Sequence, residues 1–199
     1  MSVADILMGP VKVYYAPSGA TLPDENSVAA GAAWGGTWVL CGETNAPLSC
    51  NYTFEEVEAK IQSRLAAVKR RRKSEALTIE TVLAELTALS LELADAGTKT
   101  ITTGGPAQVA KEEIEAGGKA DLTVRAWGFE GIHVTDTGTE YPARFFIFRG
   151  TGRLNGALEF STEKEGTGVP LQVKALADTS KLTGKDLFKF QRVTGPKVP

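Results

Sequence analysis

The sequence predicts a mainly β protein, an antiparallel β-sandwich or open barrel with one flanking α-helix. The first observation is that apolar residues alternate with polar ones over residues 48–54 and again over 77–83, which is typical of half-buried strands. A second observation is that turn-forming Gly, Asp, Asn and Pro separate the later apolar runs. Together they predict a hairpin over residues 48–83 within an antiparallel β domain.

The third observation is a change in apolar spacing after this hairpin. Leu86, Leu89 and Leu93 recur at intervals of three and four residues, which is the spacing of one face of a helix. Gly97 follows the last of them and is a common type of helix terminator. The pattern predicts one short amphipathic helix over residues 83–95.

The remaining elements fit a single domain over residues 1–199, because the length suits one core and no internal repeat is present. Residues 17–36 read as one long loop, and 97–119 as either an edge strand or a mobile arm. Further turns are predicted at 136–138, 150–152 and 166–168. The other predicted strands are 11–15, 38–40, 122–129, 143–149, 154–161, 170–177 and 187–193.

The charge distribution favours self-association over nucleic-acid binding by the whole protein. The chain has 22 basic and 24 acidic residues, a net charge of −2, which does not match a nucleic-acid-binding domain. Residues 1–60 contain two basic and seven acidic residues, whereas 61–75 contain six basic and one acidic. Such opposed regions can form complementary contacts between identical subunits.

The two cysteines, Cys41 and Cys50, are too few for a disulfide framework and too far apart for a Cys-x-x-Cys metal or redox motif. We expect them to be free, buried thiols in a reducing compartment. No cofactor is expected. The N-terminus has no basic and apolar leader, and no long apolar run predicts a membrane span.

The residue types that carry catalysis are scarce, so the sequence predicts no enzyme. His133 is the sole histidine and, between two apolar residues, is expected to be a strand residue, which removes most catalytic triads. Asp136-Thr137-Gly138 matches the aspartic-protease tripeptide, but only one copy is present, so we interpret it as a hairpin turn. Glu55, Glu56 and Glu58 are interpreted as surface charge.

The order of the motifs resembles that of the major tail tube proteins of long-tailed, siphovirus-type bacteriophages. The resemblance covers most of residues 10–95 and 140–193, and its weight lies in the serial order of short motifs. These are Ala16-Pro17-Ser18-Gly19, Pro23-Asp24, Trp38-Val39-Leu40-Cys41-Gly42-Glu43-Thr44, Leu77-Thr78-Ile79-Glu80-Thr81, Leu83-Ala84-Glu85-Leu86, Pro170-Leu171-Gln172-Val173-Lys174-Ala175-Leu176-Ala177-Asp178 and Leu187-Phe188.

The resemblance implies a structural virion protein, made in the host cytoplasm and located in the virion tail. Six copies would form a ring whose strands join into one barrel around a pore, and stacked rings would form a tube that conducts DNA to the host. The implied partners are further copies of the chain, the tape measure, tail terminator and distal tail proteins, and DNA in transient, non-specific passage. No membrane partner is implied.

Two surfaces of the hairpin are the predicted sites. Polar residues opposite its apolar face suit a water-filled lumen, where acidic side chains would repel phosphates; these are Asn51, Thr53, Glu55, Thr78 and Glu80. The basic run at the predicted hairpin tip suits a contact between rings; it consists of Lys69, Arg70, Arg71, Arg72 and Lys73.

A carbohydrate- or receptor-binding β-sandwich is the alternative function. In that hypothesis the loop over residues 17–36 and the side chains of Trp34 and Trp38 would form the ligand surface. The same two tryptophans fit a hydrophobic core equally well, so the alternative depends on their exposure.

Overall fold

A computed structural model describes residues 7–59, 69–118, 120–135, 138–158 and 168–195. Within these residues it contains ten strands and one helix, which confirms a mainly β chain. In chain order they are β1 (Leu7–Pro17), β2 (Val39–Glu43), β3 (Ser49–Ala59), β4 (Lys69–Leu83), α1 (Ala88–Leu93), β5 (Thr98–Thr102), β6 (Lys111–Glu115), β7 (Val124–Val134), β8 (Glu140–Leu154), β9 (Val169–Ala175) and β10 (Phe188–Arg192).

One antiparallel sheet contains eight of the strands, in the order β2-β1-β7-β8-β9-β4-β3, with β10 also paired to β8. The two halves of the long strand β8 pair with different strands on one side. Residues 143–147 of β8 pair with β10, and residues 150–154 pair with β9. We call β2, β1, β7, the first half of β8 and β10 the first layer, and the second half of β8, β9, β4 and β3 the second layer.

The hydrophobic core lies between these two layers. Val13 and Trp127 of the first layer belong to the same buried cluster as Leu77 and Val173 of the second, and each is at most 1% exposed. Since these strands are distant in the sheet order, the sheet must fold over on itself. The end strands β2 and β3 do not pair with each other in the described residues, so the barrel is not closed. Residues 43–46, from the end of β2 onward, instead contact residues 81–84 at the end of β4, around one isolated bridge.

The loop between β1 and β2 packs on the opposite face of the first layer. Trp34 stacks on Tyr14 with ring centroids 4.0 Å apart, and Trp38 and Phe146 complete this second buried cluster. Gly128 makes the packing possible, because a Cβ at this position would lie 2.2 Å from the Trp34 ring. The loop is thus an integral part of the domain.

The predicted helix over 83–95 is wrong in length, since α1 has six residues. Strand alternation continues to Leu83, because this side chain fills the core between the layers. The helix starts only after Thr87, whose side chain accepts a hydrogen bond from the Ser90 N–H. At its other end Asp95, rather than Gly97, adopts a left-handed conformation with φ of 54°.

The predicted turn at 150–152 and the separate strand at 154–161 are also wrong. Strand β8 runs without interruption to Leu154, and residues 159–161 lie outside the described part. Gly152 is needed for close packing instead of a turn, because a Cβ there would lie 2.2 Å from the carbonyl oxygen of Leu93 and 2.8 Å from Trp127.

The segment over 97–119 forms a two-stranded ribbon, β5 and β6, in the part that the structure describes. It packs against α1, where the Glu112 carboxylate accepts a hydrogen bond of 3.2 Å from the Ala88 N–H. The sequence predicts an edge strand or a mobile arm here; the described residues instead contain two strands that pair with each other in a separate sheet.

Candidate functional site

The polar residues of β3 and β4 share one face of the second layer. Ser49 pairs with Glu80 and Asn51 with Thr78, and directly opposed residues of an antiparallel pair point to the same side. The other side carries the buried Leu77 and Ile79. The five predicted lumen residues therefore lie on one polar face, half-buried at Thr78 and Glu80 and exposed at Asn51, Thr53 and Glu55.

This polar face continues across β9 and β8. Lys174 pairs with Thr78 on one side and Thr151 on the other, and Gln172 pairs with Glu80 and Arg153. Both basic side chains are exposed. The sequence analysis missed them; the alternation within residues 170–177 indicated a strand but not the register that places Lys174 beside Thr78.

The carboxylate of Glu80 is held by amide groups on this face. Its Oε1 atom accepts a hydrogen bond from Gln172 Nε2 and another of 3.1 Å from Asn155 Nδ2. Two donors on one carboxylate oxygen fix the orientation of the side chain. Glu80 is thus already engaged within the subunit.

The outer halves of β3 and β4 form a two-stranded arm, which we define as residues 54–59 and 69–76. In the described part of the chain these residues pair only with each other, because β9 first meets β4 at Thr78. Six to eight residues per strand correspond to a length of about 20–25 Å. Both faces of the arm are exposed. A ribbon of two strands is marginally stable in water, so this arm is suited to contact another subunit.

The basic run lies in the strand of this arm and not at its tip, which corrects the predicted position. The tip itself falls in residues 60–68, outside the described part. Three of the five cations are matched by carboxylates of the arm: Arg70 with Glu58 at 2.8 Å, Arg72 with Glu75 at 3.8 Å and Lys73 with Glu55 at 4.0 Å.

The other two cations, Lys69 and Arg71, lie on the polar face of the arm. They oppose Ala59 and Val57, and no ion pair is found for them among the described residues. Arg72 differs, because its guanidinium stacks 4.5 Å from the ring centre of the exposed Phe54. The arm therefore offers free positive charge on one face and mixed aromatic and ionic groups on the other.

A buried ionic cluster fixes the long loop to the first layer. Arg144, whose side chain is fully buried, binds Glu130 through Nε at 2.6 Å and also contacts the Glu25 carboxylate. Its Nη2 donates to the carbonyl oxygen of Val28 at 2.9 Å. These residues escaped the sequence analysis, because nothing in the local pattern links charges so far apart along the chain.

Glu130, one of the two carboxylates of this cluster, orders the loop backbone. Glu130 accepts hydrogen bonds of 2.9 Å from the Gly31 N–H and 3.0 Å from Trp34 Nε1. Burial raises the pKa of Glu25 above its usual value, and Glu130 adds to the effect, although Arg144 opposes it. The cluster thus holds one guanidinium between two carboxylates.

The structure places the two tryptophans of the alternative hypothesis in the core. Trp34 is 5% and Trp38 8% exposed, and the Trp38 indole N–H donates to the carbonyl oxygen of Thr21 at 2.8 Å. Their rings are covered by protein, so they form no aromatic platform for a sugar. The exposed tryptophans that the carbohydrate- or receptor-binding alternative requires are therefore not found.

Of the residues weighed for catalysis, those that the structure describes lie on strands. His133 lies on β7 as predicted, is 3% exposed and has Nε2 2.7 Å from the carbonyl oxygen of Val193. Asp136 and Thr137 lie outside the described residues. Glu55, Glu56 and Glu58 are exposed on the arm, as predicted for surface charge.

The two thiols are free but differ in exposure. Cys41 is buried as predicted, and burial raises its pKa to about 12. Cys50 is exposed, which corrects the expectation that both are buried, because β3 is an edge strand with little protein over it. The described residues contain no group of three potential metal ligands. None of the helices described is long and apolar enough to span a membrane.

The described residues thus present a folded-over antiparallel sheet with a long exposed arm and a polar outer face. The family model "Phage tail tube protein" matches residues 5–191. The chain therefore belongs to the phage tail tube protein family: it is a non-enzymatic component of the virion that forms the tube of the tail. No curated protein matches it.

Proposed function

We propose that six copies of the chain form a ring, that rings stack into the tube of a long-tailed, siphovirus-type phage, and that the tube conducts DNA to the host. The observation that carries this proposal is the arm. It projects from the sheet with both faces exposed in the described part of the chain, and a neighbouring copy would cover it.

Lateral contacts in such a ring have a source in the edge strands. The outer edge of β3 has unpaired backbone groups over its eleven residues in the described chain, and pairing with a neighbour would satisfy them. Beside this edge an apolar groove of about 680 Å³, lined in part by Cys50, Phe145 and Phe190, is open to solvent. A neighbouring copy that extends the sheet would also cover this groove.

The polar face is proposed to line the conduit. Asn51, Thr53, Glu55, Thr78 and Glu80 face away from the core, and when neighbouring second layers join into one barrel this face is the one left for water. A hydrated, side-chain-lined wall lets DNA pass without sequence readout, because readout needs contacts to base edges.

The arm is proposed to make the contact between rings through Lys69, Arg70, Arg71, Arg72 and Lys73. Arg71 and Lys69 have no carboxylate partner in the described chain, so carboxylates of the next ring are their proposed partners. Opposite charges on different parts of one subunit produce a head-to-tail contact that can repeat without limit.

Negative-stain microscopy of the purified protein tests the ring and the tube. Wild-type protein is expected to form rings or tubes. Replacing Arg70, Arg71 and Arg72 by glutamate should block growth at single rings, whereas the same change at Lys185 and Lys189, which lie outside the arm, should not. A particle that stays monomeric in every buffer would contradict the proposed function; normal tubes from the arm variant would contradict the ring contact alone.

The further partners are proposed from the same architecture. A tube built from one repeated contact needs proteins that end it, so the tail terminator and the distal tail protein are the expected partners at its two ends. The tape measure protein is the expected partner inside it. Pull-down of each from a reconstituted tail by tagged tube protein tests these assignments separately.

A further inference from the structure

The ribbon of β5 and β6 ends in an exposed tip without charge, which we define as residues 101–110. These ten residues contain no acidic or basic side chain. Ile101 is 60% and Val109 is 75% exposed, and residues 103–110 are all exposed. A cluster of exposed apolar residues of this kind is a feature of contact sites.

The apolar groove beside β3 is also without charge. Its volume is about 680 Å³, and none of the described residues that line it is acidic or basic. Its floor belongs to the core side of the first layer, where Phe129 pairs with Phe145 and Gly131 with Ala143. The small residues leave room, because a Cβ at Gly131 would meet no atom within 4 Å. The groove is thus open to a side chain from outside the subunit.

The tip and the groove of one subunit belong to different ends of β7. The groove reaches Phe129 and Gly131. Helix α1, on which the ribbon packs, is joined to the start of β7, where Arg125 lies 4.0 Å from Glu92. The six residues from Arg125 to Gly131 span about 20 Å. All ten tip residues are described and none of them lines the groove of its own subunit, so the tip is left for another copy.

The proposed ring brings the two surfaces together. The groove lies beside β3, one edge of the second layer, and α1 lies beside the other edge. There residues 152–154 pair with β9 alone among the described strands, and a Cβ at Gly152 would lie 2.2 Å from the carbonyl oxygen of Leu93 in α1. When second layers join edge to edge, β3 of one copy meets β8 of the next. The neighbour's α1 and ribbon then lie on the side of the groove.

We infer that the tip of one copy occupies the apolar groove of the next copy in the ring, where Ile101 and Val109 become buried. The inference rests on the proposed function, which supplies the neighbouring copy. An uncharged tip suits an uncharged groove, because a charge buried there would lose its hydration without gaining a partner. Contact between two different surfaces of one chain is heterologous and closes into a ring when the rotation permits.

Charge distinguishes this tip from other exposed apolar residues of the chain. Leu182 is also 75% exposed but follows Lys181 directly. Val57 is 54% exposed but lies between Glu56 and Glu58 on the arm. Either segment would carry charged neighbours to the groove, which offers them no ionic partner among its described lining residues. The tip of the ribbon brings none.

Cross-linking to the native thiol of the groove tests the inference. Cys50 lines the groove and is exposed, whereas Cys41 is buried. Assembled Val109→Cys protein, treated with a short bis-maleimide, should give dimers and larger species on a denaturing gel, with Cys50 of one chain joined to position 109 of another. Leu182→Cys, which replaces a residue of the same exposure, should give no more than wild type.

Filling the groove provides a second measurement. Gly131→Phe should raise the protein concentration needed for ring formation by about tenfold or more. Gly195→Phe is the matched control, since a Cβ there also meets no atom within 4 Å and the residue lies outside the groove; it should assemble like wild type. Equal assembly of the two variants would overturn the inference. The cross-link decides if Gly131→Phe does not fold, and Gly131→Phe decides if Val109→Cys does not assemble.

Microscopy of the same preparations separates this inference from the proposed function. Tubes of Val109→Cys without the cross-link to Cys50 would overturn the inference and leave the tube intact. The same holds if Leu40→Cys, on the other edge strand, gives the cross-link instead. Cross-linked dimers of Val109→Cys in a protein that never forms rings would support the contact and refute the proposed assembly.

Discussion

Replacement of Arg144 by methionine is expected to destabilise the protein by about 3–5 kcal/mol, the usual result of removing one partner of a buried ion pair. The size of this loss follows from the two buried carboxylates that remain in the variant. Glu130, whose side chain is 1% exposed, and Glu25, at 13%, would face each other without their cation. For a domain of this length the change corresponds to a fall in Tm of about 6–20 °C.

The destabilisation is expected to depend on pH. Because burial already raises the pKa of Glu25 above its usual value of 4.5, the stability that this group contributes is present below that value and is lost as pH rises through the raised pKa. Arg144 opposes this rise. Without it the pKa of Glu25 climbs further, so the variant should lose more stability at pH 7.5 than at pH 4.5.

Urea unfolding followed by tryptophan fluorescence measures both effects, at protein concentrations low enough to keep the chain unassembled. Arg149→Met is the matched control, since among the described residues its guanidinium makes one hydrogen bond, of 3.4 Å to the Ala177 carbonyl oxygen, and has a weak electrostatic interaction with Asp178; it should contribute about 1 kcal/mol or less. A loss below about 1 kcal/mol in Arg144→Met, or one equal at both pH values, would refute the reasoning about the buried cluster.

Three further outcomes are expected. Gly152→Ala should destabilise by about 1–3 kcal/mol, seen as a lower urea midpoint, because the new Cβ would meet the Leu93 carbonyl oxygen at 2.2 Å; an unchanged midpoint would contradict this packing. A thiol reagent at pH 8 should label Cys50 faster than Cys41, because Cys50 is exposed and because burial, which raises the pKa of both thiols, raises that of Cys41 to about 12; equal labelling rates would refute it. Thr87→Ala should destabilise by about 0.5–2 kcal/mol through loss of the helix cap, and a thermal melt identical to wild type would argue against that cap.

The spacing of apolar residues was sufficient to predict an element wherever the burial of its own side chains decides its structure. The alternation over 77–83 predicted a strand, and Leu77, Ile79 and Leu83 are indeed buried on one side of it. The helix was placed too early because Leu83 satisfies strand and helix spacing equally. Only the packing of Leu83 between the layers decides between the two.

The candidate site was predictable in part for the same reason. The polar residues on β3 and β4 are neighbours in a hairpin, so their shared face follows from alternation. The position of the basic run did not follow, because strand pairing continues outward to Lys69 and carries the run into the arm.

The sequence by itself determined the class of fold, the place of the hairpin and the resemblance to tail tube proteins, since these depend on spacing and order along the chain. Tertiary structure alone decided that Lys174 and Arg153 join the polar face and that Arg144 lies between Glu25 and Glu130. The physical reason is that register and burial between distant segments depend on how the layers fold together, which no local periodicity records.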